Sequence, residues 1–241
     1  MIRSTLCILG IFCITAHGAM AQIEKPQNYK KFDRKLLHFG FMLGINSADF
    51  SPYPVLGAYE KYGLRELENK KQPGGQVGIV TSLKLGTPVL RLRFIPSLSF
   101  QERALLYHFD PKSPDSKKEE VKEERINSTN LDFPLMLQFR TMRFNNFTSY
   151  VLGGAQYSYD LQSQQDATQS LTDPFIKLKK HDFQGQVGVG AEFFMPYFKL
   201  GIELKFSHSF ANQFVQDNTN VSDPIDKLYN RVWMFSLIFE G

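Results

Sequence analysis

The sequence predicts an all-β fold, an eight-stranded antiparallel up-and-down transmembrane β-barrel with short periplasmic turns and long extracellular loops. Three observations predict it. Apolar residues recur at every second position in eight separate runs. The connections between those runs alternate between short and long. The chain also combines 22 Phe and 10 Tyr with a slightly polar mean hydropathy of −0.27. A bundle of membrane helices would average strongly apolar, whereas barrel strands average out because lipid-facing and lumen-facing residues alternate. The net charge of +4 is mild and the signs are interspersed, so no nucleic-acid footprint is expected.

The first segment, 1–21, has the form of a signal peptide. Arg3 supplies a positive start, Leu6 to Ile14 a short apolar core, and Ala19-Met20-Ala21 a small-x-small cleavage pattern that leaves Gln22 as the new N-terminus. The apolar run falls short of the ~20 residues of a spanning helix. Cys7 and Cys13 lie inside it, so the processed chain is expected to carry no disulfide, thiol nucleophile or cysteine metal site. Residues 22–35 form a polar, basic periplasmic tail (Lys25, Lys30, Lys31, Arg34, Lys35) that reads as solvated. The barrel occupies 36–241.

The eight runs follow in order. Phe39, Phe41, Leu43 and Ile45 oppose His38, Gly40, Gly44 and Asn46. Val77, Ile79, Thr81 and Leu83 oppose Gln76, Gly78, Ser82 and Lys84. Leu90, Leu92, Phe94, Leu98 and Phe100 oppose Arg91, Arg93, Ser97 and Ser99. Leu131, Phe133, Leu135, Leu137 and Phe139 oppose Asn130, Asp132, Gln138 and Arg140. Phe147, Val151, Ala155, Tyr157 and Tyr159 oppose Thr148, Gly154, Gln156 and Asp160. Phe183, Val187, Val189, Ala191 and Phe193 oppose Asp182, Gln184, Gln186, Gly188, Gly190 and Glu192. Phe198, Leu200, Ile202, Leu204 and Phe206 oppose Lys199, Gly201, Glu203, Lys205 and Ser207. Trp233, Phe235, Leu237 and Phe239 alternate with Met234, Ser236 and Ile238. Several runs reach the ~9–11 residues that a tilted strand needs to cross a bilayer. The short connections are Gly86 to Pro88, Thr141 to Asn146 and Pro196-Tyr197. The long ones are Ser47 to Pro73, Ala104 to Arg125, Gln162 to Phe175 and Ala211 to Leu228. This layout puts both termini on the short-turn, periplasmic side.

A soluble barrel would turn the apolar faces inward. The sequence favours the reverse on three grounds. The apolar faces carry no charge in their central stretches. Aromatics (Phe147, Tyr157, Tyr159, Tyr197, Phe198, Tyr229, Trp233) gather near strand ends, where headgroup girdles sit. Glycines crowd the polar face, as a narrow lumen requires. The interior is therefore expected to hold a charge network of Lys84, Arg91, Arg93, Asp132, Arg140, Asp160, Asp182, Glu192, Lys199, Glu203 and Lys205. Buried charges persist when paired and hydrogen-bonded, so mixed signs imply a salt-bridged plug rather than a diffusion pore.

Several strings in series carry a family resemblance. His38-Phe39-Gly40-Phe41, Leu43-Gly44-Ile45-Asn46, Asp49-Phe50, the run Leu92 to Phe100 and Asp132-Phe133-Pro134-Leu135 resemble PorT/SprT-like outer-membrane barrels of Bacteroidetes. So do Tyr157 to Leu161, Lys177 to Phe183, Gly188-Val189-Gly190 and Glu203 to Ser207. The likeness covers nearly the whole processed chain. It implies a non-enzymatic barrel required for type IX secretion, which exports cargo with C-terminal sorting domains and gliding adhesins. Its partners would be outer-membrane lipids and other secretion-system proteins. A general Bacteroidetes outer-membrane barrel domain is the looser match, and the tail Trp233 to Gly241 resembles the aromatic-rich last strand read by insertion machinery.

The chemistry sought gives no site. His208 is the best catalytic candidate, as the base of a lipid-modifying barrel enzyme, but Ser207 and Ser209 point to the opposite face and a base must reach its nucleophile. His38 and His181 are single histidines without metal spacing. No catalytic residue, cofactor, metal or small-molecule substrate is expected. Lys117 to Arg125 reads as a solvated outer loop with a helical turn. Tyr53, Tyr59 and Tyr62 make the first long loop a candidate protein contact, because rigid aromatics anchor interfaces. The competing function is a structural or adhesion barrel unrelated to secretion.

Overall fold

A computed structural model of the chain describes residues 29, 31–57, 64–109, 120–163, 176–216 and 222–241. After a helical turn α1 (Lys31–Arg34), the strands are β1 (Leu37–Pro54), β2 (Leu64–Lys84), β3 (Leu90–Phe94), β4 (Ser97–Phe109), β5 (Glu120–Arg140) and β6 (Phe147–Asp160). Then come β7 (Lys177–Leu178), β8 (His181–Phe194), β9 (Lys199–Ser209), β10 (Phe214–Val215) and β11 (Ile225–Glu240). β3 and β4 are two pieces of one stave, and β7 and β10 form a separate two-stranded ribbon. Among the described residues the ladder closes into a ring of eight staves. Phe41 shows the closure, pairing with Ile79 of β2 on one side and Phe239 of β11 on the other. Closure leaves no open edge in the membrane, which is the condition for strands to cross hydrocarbon.

Pro96 breaks the third stave because it has no N–H to give the ladder. The chain stays in phase across the break. Arg91, Arg93, Ile95, Ser97, Ser99, Gln101, Arg103, Leu105 and Tyr107 all point inward, and Ile79 still donates its N–H to the Pro96 carbonyl at 3.0 Å.

The faces fall as an inside-out barrel. Phe94 and Phe133, the residues that would point inward in a soluble barrel, are each 39% exposed. Arg91 and Glu203 are each 0% exposed. Outward aromatics form two belts. Near the termini, Phe41 stacks on Phe239, Phe198 leans on Phe239, and Phe147 meets Phe193. At the other end, Phe133, Tyr157 and Phe183 form a file beside His181, and Phe206 packs on Trp233. Rings at both interfaces suit headgroup depth.

The strands are longer than the apolar runs. β2 and β5 have 21 residues each and β1 has 18, whereas β9 has 11. One wall of the ring thus rises well beyond the ~9–11 residues that a bilayer needs. Much of what reads as long loop, in 47–73 and 104–125, is strand. Glu120 to Arg125 belong to β5 and pair with Phe109 to Ala104 of β4, so the expected helical turn gives way to a ladder. Its outer face alternates charge across strands, with Lys70–Glu123 at 3.7 Å and Arg125–Glu102 at 3.6 Å. Lys117 to Glu119 lie outside the described residues.

Candidate functional site

The interior is filled in three layers. In the half nearer the termini, Arg93 stands at the centre of three carboxylates. It binds Glu203, donates to Glu240 at 2.9 Å and lies 3.3 Å from Glu192. Arg140 pairs with Glu192 at 2.8 Å, Lys199 with Glu240, and Lys205 with Glu203 at 3.1 Å. Each element presents these groups for the same reason: period two along a strand sends every second side chain into the lumen. The Tyr150 hydroxyl donates to Glu203 at 2.7 Å, and its ring lies 5.5 Å from the Arg93 guanidinium. That ring needs space. A Cβ on Gly190, its cross-strand partner, would fall 2.5 Å from it, so the glycine is what lets Tyr150 lie flat over β8.

A belt of inward apolar side chains follows, formed by Met42, Val80, Ile95, Met136, Leu152 and Ile238 with the Tyr150 ring. The sequence reading put Ile238 on the inner phase but not Met42, Val80, Ile95, Met136 or Leu152, and so did not give the belt.

The outer half is held mainly by neutral donors. Asp182 accepts from Ser209, Gln213, Gln184 and Asn230 at 2.6–2.8 Å. Asp132 accepts from Ser158 at 2.6 Å. Arg103 donates to Gln101 and to Ser128, under the Phe50 ring at 5.2 Å. Above them Phe50, Leu105, Tyr107, Leu178, Phe214, Ile225 and Leu228 form an apolar cap. The β7–β10 ribbon contributes two of these residues, Leu178 and Phe214, and so lies across the mouth.

At the opposite mouth, α1 departs from the solvated tail expected. Phe32 is buried against Phe194, and Asp33 accepts from Arg143 at 2.6 Å. Tyr29 and Leu36 stand three residues before and four after Phe32, but both are exposed, so Phe32 alone is seated in the mouth.

Of the expected lumen charges, Arg91, Arg93, Asp132, Arg140, Asp182, Glu192, Lys199, Glu203 and Lys205 are buried. Lys84 and Asp160 are half-buried at the two mouths. Lys84 donates to the Asp33 carbonyl at 3.0 Å, and Asp160 accepts from the Gln162 N–H at 2.9 Å. Asp132 and Asp182 differ from the salt-bridged plug expected, since hydroxyls and amides hold them. Arg103 and Glu240 belong to the interior and were not singled out. Glu240 continues the phase of Met234, Ser236 and Ile238 by one step, so period two could have found it.

His208 sits on the outer face with its Nδ1 2.7 Å from the Ser209 carbonyl and its ring stacked on Tyr229 at 5.9 Å. The hydrogen bond of its ring goes to a main-chain carbonyl rather than to a hydroxyl. Tyr53 is exposed and meets Tyr229 edge-on at 5.6 Å. Tyr59 and Tyr62 lie outside the described residues. Among the described residues, no group of three or more His, Cys, Asp or Glu is placed to hold a metal ion.

A family model described as "Outer membrane protein beta-barrel domain" matches residues 20–215. No curated protein sequence matches the chain. Among solved structures, the outer membrane protein OprG from Pseudomonas aeruginosa is 14% identical, with a TM-score of 0.43 over 85% of this chain and 92% of its own. Neisserial surface protein A is 10% identical, with a TM-score of 0.38 over 82% and 95%. The outer membrane protease OmpT from Escherichia coli is 10% identical, with a TM-score of 0.39 over 85% and 95%. The chain belongs to the outer membrane protein beta-barrel domain family and is a protein of the outer membrane.

Proposed function

We propose that this member of the outer-membrane β-barrel family is a non-enzymatic component of type IX protein secretion that acts through contacts at its two ends. The resemblance of its strings, in order from His38 to Ser207, to PorT/SprT-like barrels supports the secretion role. The filled interior supports the mode of action. With Arg93 bound to three carboxylates, an apolar belt above it and an apolar cap at the outer mouth, the lumen offers no passage to a folded cargo. A barrel that cannot conduct works by what it touches.

A clean deletion tests this. Export of cargo bearing C-terminal sorting domains is expected to stop while other outer-membrane proteins stay at parental levels. Normal cargo export in the deletion would contradict the proposal and leave a structural or adhesion barrel. The processed chain, cut before Gln22, is expected in the outer-membrane fraction. The lipid-modifying alternative predicts a changed lipid profile in His208→Ala, and we expect none.

A further inference from the structure

At the end of the barrel that carries the termini lies a cavity of about 370 Å³. It sits between α1, the β2–β3 turn and the β5–β6 turn. Arg34, Lys84, Arg140 and Arg143 line it with Asp33 as the one lining carboxylate, and Glu192 behind the lining already pairs with Arg140. Pro88, Val89 and Met142 give it an apolar wall. A volume in this range suits a ligand of several residues' bulk rather than a bare ion, since binding pockets run to roughly 300–1,000 Å³.

The chain's own tail shows what the pocket accepts. The Asp33 carboxylate takes a hydrogen bond from Arg143, and its main-chain carbonyl takes one from Lys84. Beside it Phe32 is buried against Phe194, and the Arg143 guanidinium covers that same Phe194 ring at 3.7 Å. A carboxylate therefore satisfies one corner of the site, with an aromatic ring seated beside it against Phe194. It leaves the site cationic. Arg34 stays exposed to solvent. Arg91, which pairs with Lys84 across the β2–β3 ladder, is 0% exposed with all three guanidinium nitrogens unpartnered. A buried, unpaired guanidinium is costly and raises the attraction of an anion nearby.

We infer that this mouth is a receptor for an acidic peptide segment of a periplasmic protein, one presenting an aromatic residue beside a carboxylate. Phe32 and Asp33 hold the receptor until such a segment displaces them. The apolar wall argues for a peptide over a small oxyanion, which would leave Pro88, Val89 and Met142 uncovered. The inference does not depend on the secretion role, because any periplasmic partner with this chemistry would fit.

The test uses the full processed protein in detergent micelles and a fluorescein-labelled peptide, acetyl-Phe-Asp-Asp-Glu-amide, with acetyl-Phe-Lys-Lys-Arg-amide as the control. The acidic peptide is expected to bind, more weakly as salt is raised, and the basic one is not. Asp33→Asn should tighten binding about tenfold by freeing a charge-assisted bond of Arg143. Adding Arg143→Gln and Lys84→Gln to that variant should remove binding, and Arg91→Gln alone should weaken it. Heat-modifiable gel migration confirms that each variant is a folded barrel. Equal binding of both peptides, or an affinity that Asp33→Asn leaves unchanged in a folded barrel, would overturn the inference. So would displacement by inorganic phosphate at a concentration equal to that of the peptide, which would assign the site to a small oxyanion.

Discussion

In the half of the interior nearer the termini, Arg93, Arg140, Lys199 and Lys205 meet Glu192, Glu203 and Glu240 as ions. In the outer half, Asp182 is satisfied by the amide of Gln184 on its own strand, the amides of Asn230 on β11 and of Gln213, and the hydroxyl of Ser209 on β9, all neutral donors. Both halves fill a lumen of the same width, yet they depend on their members differently. A buried ion that loses its partner keeps its full desolvation cost. An acceptor shared among four neutral donors fails more gently, because each donor loses one bond. The comparison locates where the fold is intolerant of change: at the centre of the ionic half.

Substitutions break that comparison in order of expected size. Arg93→Ala should cost the most, about 3–5 kcal/mol, because it strands buried carboxylates at once. Urea unfolding in lipid vesicles, followed through the single Trp233 on the outer aromatic belt, reads this directly. Asp182→Ala should cost about 1–3 kcal/mol, and Asp182→Asn less, since an amide oxygen still accepts. Equal losses for Arg93→Ala and Asp182→Asn would erase the distinction between the halves. Tyr150→Phe should cost about 1 kcal/mol, the worth of its bond to Glu203, because the ring stays over Gly190. Arg125→Ala, on the exposed ladder of the raised wall, should change stability by less than about 0.5 kcal/mol in the same assay.

The parts legible in the sequence are those in which one face must be apolar. Within the bilayer, Leu131, Phe133, Leu135, Leu137 and Phe139 leave no choice of period, and the observed β5 has them all outward. Above the bilayer both solvent and lumen tolerate polar groups, so Glu120 to Ser128 carry no such signature. On the inner side of the raised wall the cap takes Phe50 of β1 and Leu105 and Tyr107 of β4, with Leu67 of β2 and Ile126 of β5 packed against it. The interior apolar belt was hidden for a related reason. Met42 and Met136 lie between outward Phe, Leu or Ile residues, and an apolar residue among apolar neighbours does not announce its face. Ion pairing in the lumen followed from mixed signs on one phase. The partners within it did not, because Arg93 and Glu203 are 110 positions apart and meet only when the ring closes.

The claim on which all this turns is that odd positions of β5 face lipid and even ones face a sealed interior. The processed chain is expected to contain no cysteine, which makes single-cysteine labelling from 131 to 140 clean. Spin labels in bilayers, read by oxygen accessibility, should alternate strictly: high at Leu131, Phe133, Leu135, Leu137 and Phe139, and low at Asp132, Met136, Gln138 and Arg140. The opposite phase, or accessibility that does not alternate, would contradict it.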